Sequence, residues 1–208
     1  MSPAATTSSR KRLTQAERRQ QTREKVLLCA LAVFGERGYA DASLAEIAER
    51  AGITVTPIYH YFGNKLQLFT AVTEHYEARF AANMAALGER EQFSLLEAWD
   101  VFVDMMQDPA FTRVVLMDAT HVLGRERWPE TSVFREVKKL LSSAERPVGA
   151  ELRRQFSDAE VELLIRMAMS ALAEAALSLA ADPALDARRL MTGLLAMLGL
   201  ENAQGGSR

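Results

Sequence analysis

Five times along this chain a small hydroxyl or amide side chain is followed three residues later by Glu or Gln: Thr14 with Glu17, Ser43 with Glu46, Asn64 with Gln67, Ser94 with Glu97, and Ser157 with Glu160. At that spacing the first side chain accepts a hydrogen bond from an orphan backbone N–H at a helix start, and the second reaches back to another. Apolar residues then recur at intervals of three and four, as in Val26, Leu27, Ala30, Leu31 and Phe34, or Phe69, Val72, Tyr76, Phe80, Met84 and Leu87. Asp108-Pro109 and Asp182-Pro183 are start signals of a second kind, because proline fits a first turn whose N–H needs no partner. Gly38, Gly52 and Gly88 supply stops, and Pro147 interrupts a segment bearing Val133, Phe134, Val137 and Leu141. No stretch alternates apolar and polar residues with β-branched enrichment, so the chain is predicted to be all-α.

Charge divides the chain unevenly. Residues 1–65 hold ten Lys/Arg against six Asp/Glu, and residues 66–208 hold fifteen against twenty-one, so a net charge of −2 conceals a basic end of +4 and an acidic remainder of −6. A basic end on an acidic chain points to a polyanionic partner for that end. A single cysteine, Cys29, excludes an internal disulfide and a cysteine zinc cage, and three histidines leave little for a metal cluster, so neither metal nor cofactor is expected. There is no G-x-S-x-G, Walker loop, G-x-G-x-x-G, H-E-x-x-H or Glu-x-x-His pair, which argues against an enzyme. The first residues lack the apolar core of a signal peptide, and the longest nearly apolar run, residues 167–181, carries Glu174 and is short for a membrane span. The expectation is a soluble cytoplasmic protein without a membrane partner.

Residues 43–65, SLAEIAERAGITVTPIYHYFGNK, carry the chemistry. Two short helices, the second over residues 55–61 with Thr54 as its expected N-cap, are separated by Gly52, Ile53 and Thr54, the layout of a helix-turn-helix. Ala48 and Ala51 permit a close crossing, and Ile47, Ile58 and Phe62 are the expected apolar joint. The outer side of the second helix then offers Thr56, Pro57, Tyr59 and His60, short polar and phenolic groups suited to phosphates and base edges in a major groove. Lys65, in the first turn of the next helix, suits a phosphate oxygen. Tyr61 and Phe62 are expected in the core, and Arg10, Lys11 and Arg12 form a candidate basic arm.

This segment resembles the DNA-binding domain of the TetR family of bacterial transcriptional regulators, through AVFGERGY at residues 32–39, SLAEIAERAGI at 43–53 and IYHYFGNKLQLF at 58–69. The resemblance implies DNA contacts from Ser43, Thr54, Thr56, Tyr59, His60 and Lys65. Pro57 departs from the family pattern and removes one N–H that could donate to phosphate. The implied organisation is a basic tail at residues 1–12, an N-terminal three-helix helix-turn-helix DNA-binding domain at 13–65, a C-terminal helical ligand-binding and dimerisation domain at 66–201, and a tail at 202–208.

One short helix reads only a few base pairs, so a two-fold dimer on a palindromic double-stranded operator is expected. Residues 158–181 and 186–199 are the expected homodimer surface. After Glu162 the polar residues of the first of these segments are confined to Arg166, Ser170, Glu174 and Ser178, and Gly193 in the second would allow close backbone approach. Family resemblance places a small-molecule effector among the middle helices, with Trp99, Phe102, Met106, His121, Trp128 and Phe134 as candidate lining. The implied function is a ligand-responsive repressor; the alternative is an activator or architectural DNA binder that takes no ligand.

Overall fold

Thr14 opens the first helix as its spacing predicts: its Oγ1 accepts from the Glu17 N–H at 3.2 Å, and the Glu17 carboxylate accepts from the Thr14 N–H at 2.6 Å. The structure is a computed structural model, and it describes residues 14–90, 94–124, 126–143, 147–182 and 184–197. The expected tails, and with them Arg10, Lys11 and Arg12, lie outside the described residues.

Helix α1 (Gln15–Asp41) bends at Gly38, whose φ of 76° is open to glycine without strain. α2 (Leu44–Arg50) and α3 (Thr56–Phe62) follow, and then α4 (Lys65–Gly88), whose N-cap Asn64 accepts from the Gln67 N–H at 2.8 Å. α5 (Leu95–Met106) starts on a second reciprocal capping box, Ser94 with Glu97. Residues 109–122 form one continuous rod: α6 (Pro109–Phe111), a π-helical segment (Thr112–Asp118) and α7 (Ala119–Val122). A 3₁₀ turn (Trp128–Glu130) leads into α8 (Ser132–Ser142), α9 (Pro147–Gln155), α10 (Asp158–Ala181) and α11 (Ala187–Met197). All described elements are helical, the expected fold class.

Four local expectations are corrected. Thr54 does not cap α3; Val55 occupies that position and gives no side-chain cap. Glu46 does not reach back to Ser43 but binds Arg50 at 2.8 Å, because that guanidinium lies one turn along the same face. Pro147 begins a helix of its own, α9, where proline suits the first turn. The last helix starts five residues beyond Asp182, with Asp186 accepting from the Arg189 N–H at 2.9 Å. In addition α10, a helix of 24 residues, contains a stretch long and apolar enough to cross a membrane by length and composition alone.

One hydrophobic core runs from α1–α3 through α4 into the later helices. Phe34, Tyr39 and Phe69 pack together with ring centroids 4.9–6.2 Å apart, and the same cluster continues through Tyr76, Phe80, Phe102 and Phe111 to Met191 and Leu195. The composition boundary near residue 65 is therefore not a break in packing. α1 meets α6 so closely at Gly35 that an added Cβ would collide with the Ala110 methyl and lie 3.2 Å from its Cα. Gly35→Ala is expected to destabilise the fold by about 1–3 kcal/mol, outweighing the helix-propensity gain of about 1 kcal/mol, as thermal melts would register.

Candidate nucleic-acid interface and ligand cavity

Ile47, Ala48 and Ala51 of the α2 side and Ile58 and Phe62 of α3 are all buried, as the helix-turn-helix reading requires. With that seam inward, α3 turns Thr56, Tyr59 and His60 to solvent, and Tyr59 is 56 % exposed. A large phenol left in water next to two polar side chains has no packing duty here. Ser43 and Thr54 are exposed and Pro57 is half-buried. Ser43 Oγ accepts from the Glu46 N–H at 3.1 Å, which leaves its own hydroxyl proton free to donate. Lys65 is half-buried: its Nζ donates to the Ala40 carbonyl at 3.1 Å and sits 4.6 Å above the Tyr39 ring. That ammonium ties α4 to the end of α1, so reaching a phosphate requires it to swing away from both partners.

α1 contributes a flank that the motif reading omitted. Arg23 lies over the Phe62 ring at 5.1 Å, and Arg19, Arg23 and Tyr61 line one shallow groove beside α3. The sequence holds seven Lys/Arg against two Glu over residues 10–25, but only the fold brings Arg19 and Arg23 of that run beside α3. Arg50 is not part of this basic surface. It binds Glu36 through both terminal nitrogens, at 2.8 and 2.7 Å, and its guanidinium holds the Glu36 carboxyl below the usual carboxylate range.

The body holds a partly open cavity of about 820 Å³, within the size range of pockets for drug-sized ligands. Trp99, Phe102 and Trp128 line it; Met106, His121 and Phe134 do not. His121 is exposed, and its Nδ1 lies 2.7 Å from the Met117 carbonyl on its own helix. Phe134 is buried in a satellite cluster with Val161 and Ile165. Met106, at the end of α5, is half-buried against the main core. These three residues are corrected as lining: a helix exposes only one face to a central cavity, and their type does not say which.

The cavity wall carries an ion pair that the sequence reading did not name. Arg127, just before the 3₁₀ turn, donates to the two carboxylate oxygens of Glu77 on α4, at 2.6 and 2.9 Å. Glu77 is only 6 % exposed, and burial pushes its carboxyl up even though Arg127 opposes the shift. Glu77 sits within the apolar stripe of α4, one residue from Tyr76; a charged residue on that buried face was the available clue. Among the described residues no group of His, Cys, Asp and Glu could hold a metal ion.

A buried helix-turn-helix seam with polar residues facing out, carried on a helical body, defines a helix-turn-helix DNA-binding regulator. The description "Bacterial regulatory proteins, tetR family" matches residues 26–72, and "Tetracyclin repressor-like, C-terminal domain" matches residues 93–199. The chain belongs to the TetR family of bacterial transcriptional regulators. It is 31 % identical to the HTH-type transcriptional regulator CymR of Pseudomonas putida over 121 residues, covering 49 % of this chain and 60 % of that protein. A TetR-family regulator of solved structure from Pectobacterium atrosepticum is 27 % identical with a TM-score of 0.59, covering 94 % of this chain and all of that one. FadR of Bacillus subtilis, solved in complex with stearoyl-CoA, shares the fold at 18 % identity with a TM-score of 0.60, covering 89 % of this chain and 99 % of that one.

Proposed function

We propose that this chain is a cytoplasmic homodimeric repressor that leaves a palindromic operator when a small apolar effector fills the cavity. The observation that carries the reading is that α4 belongs to both ends. It starts at Lys65 beneath the reading head and presents Glu77, Phe80 and Met84 to the cavity. A second support is the π-helical segment, which lines the cavity with Val115 and Leu116 and ends at Asp118, whose carboxylate accepts from the Tyr39 N–H at 2.7 Å. Tyr39 follows the Gly38 bend and lies beneath Lys65. A ligand that prefers one arrangement of these helices shifts the spacing of two reading heads by its differential affinity alone.

The partner for the uncovered face of α10 and α11 is a second copy. Leu163, Met167 and Leu190 are 50 %, 60 % and 46 % exposed, and nothing lies within 4 Å of a Cβ added at Gly193. A C2 interface from this helix pair covers that apolar surface in both copies. Met167, Ala168 and Ala171 also line the cavity, so a partner seated there closes part of its wall.

For the reading head, Tyr59→Ala is expected to weaken operator binding by about 1–3 kcal/mol without lowering the melting temperature. Lys65→Ala is expected to weaken all duplexes alike and reduce the salt slope by about one counterion, with a small loss of stability from the freed Ala40 carbonyl. Fluorescence anisotropy on operator and random duplexes across a salt series checks both. Unchanged binding in both variants would remove α3 and the start of α4 from the interface.

A further inference from the structure

Taking the cavity as the effector site, as proposed above, the charges on its wall narrow the chemistry of what enters. Glu77 and Arg127 are the charged residues among those lining it, and they cancel. Two further polar groups of the wall are committed to neighbours. The Trp99 indole N–H donates to the Ala187 carbonyl at 2.9 Å, and the Thr131 hydroxyl donates to the Trp128 carbonyl while accepting from the Phe134 N–H. Most of the remaining wall is aliphatic or aromatic, including Phe80, Phe102, Phe111 and Ile165.

We infer that the effector is an uncharged, largely apolar molecule whose hydroxyl group hydrogen-bonds to the Glu77–Arg127 pair. The pair uses two of the guanidinium's N–H donors and one acceptance on each carboxylate oxygen. A guanidinium has five donors and a carboxylate about four acceptor sites, so donors and acceptors remain side by side on this wall. A hydroxyl uses both at once. A carboxylate ligand brings an unbalanced negative charge beside Glu77, in a wall where burial already disfavours one carboxylate. An ammonium ligand meets Arg127 with the same imbalance reversed.

The test compares farnesol, farnesoic acid, farnesylamine and the matched hydrocarbon 2,6,10-trimethyldodeca-2,6,10-triene on the purified full chain, by calorimetry and by displacement of the neutral dye Nile red. Farnesol is expected to bind about tenfold or more tightly than the acid or the amine, and about fivefold more tightly than the hydrocarbon, one net hydrogen bond's worth. Glu77→Gln leaves Arg127 as an uncompensated cation, so the acid is expected to gain about tenfold relative to the alcohol. Arg127→Gln is the mirror case, in which the amine gains. The wild-type ranking stands as a test even if neither variant folds. Equal or tighter binding of the acid or amine by the unaltered protein overturns the neutral-ligand assignment alone. Failure of Nile red and of all four probes to bind overturns the cavity as an effector site, and this inference with it.

Discussion

Leu163→Glu is expected to convert the protein to a monomer and to weaken binding to a full inverted-repeat operator by about 10²–10⁴-fold, the avidity lost when two linked reading heads become one. Leu163 is half exposed in the single chain and does not itself line the cavity, so the substitution should leave the fold of each chain unchanged. In a two-fold interface the same change buries two unpaired carboxylates, each costing several kcal/mol to desolvate. Leu190→Glu tests the same interface from α11, where Leu190 is 46 % exposed and also outside the cavity lining. Light scattering after size exclusion gives the oligomeric state, and gel shift on full-site and half-site duplexes gives the avidity. Binding to an isolated half-site should stay unchanged, since no reading-head residue is altered. Dimers of both variants with full operator affinity would place the interface elsewhere.

Legibility in the sequence differs sharply between backbone and cavity, for a physical reason. Capping is local: Thr14, Ser94 and Ser157 each form reciprocal boxes with the carboxylate three residues on, because both partners sit in one turn. The helix-turn-helix was legible for the same reason, its seam of Ile47, Ile58 and Phe62 lying within sixteen residues. Thr54 misled because a threonine one place too early still satisfies the pattern, while backbone geometry assigns the cap to Val55. The cavity is non-local. Arg127 and Glu77 are fifty residues apart, and no periodicity links a loop arginine to a glutamate on a distant helix. Residue type proved a poor guide to lining: His121 looked like a polar contact yet faces solvent, and Phe134 packs into the satellite cluster. The π-helical segment left no mark either, because TRVVLMD reads as ordinary helix.

That segment carries the second large expectation. Asp118→Ala is expected to leave operator affinity within about threefold while abolishing most of the effector-driven release, which for allosteric regulators spans about 5–150-fold. A π-helix holds one extra residue per turn, and its Ala119 N–H donates five residues back to the Val114 carbonyl. Reverting to α geometry would shift the register of everything beyond it, so any α-helical alternative would differ from this arrangement by a whole residue rather than by a gradual change. Val115 and Leu116 line the cavity, and the Asp118 carboxylate accepts from the Tyr39 N–H. Gly38 sits so near that a Cβ there would lie 3.0 Å from the Asp118 carboxylate. Alanine at 118 leaves the Tyr39 N–H without its acceptor, a loss of about 1–3 kcal/mol in stability, and removes the tie between the end of α1 and the π-helical part of the wall. Asp118→Asn keeps an amide oxygen in place and should retain most of the release, which separates a lost hydrogen bond from a lost charge. Anisotropy titrations of operator complexes with and without a saturating effector, run beside thermal melts, give both quantities. If Asp118→Ala melts lower yet releases operator to the full extent, the bond is structural only and the signal travels through α4 alone.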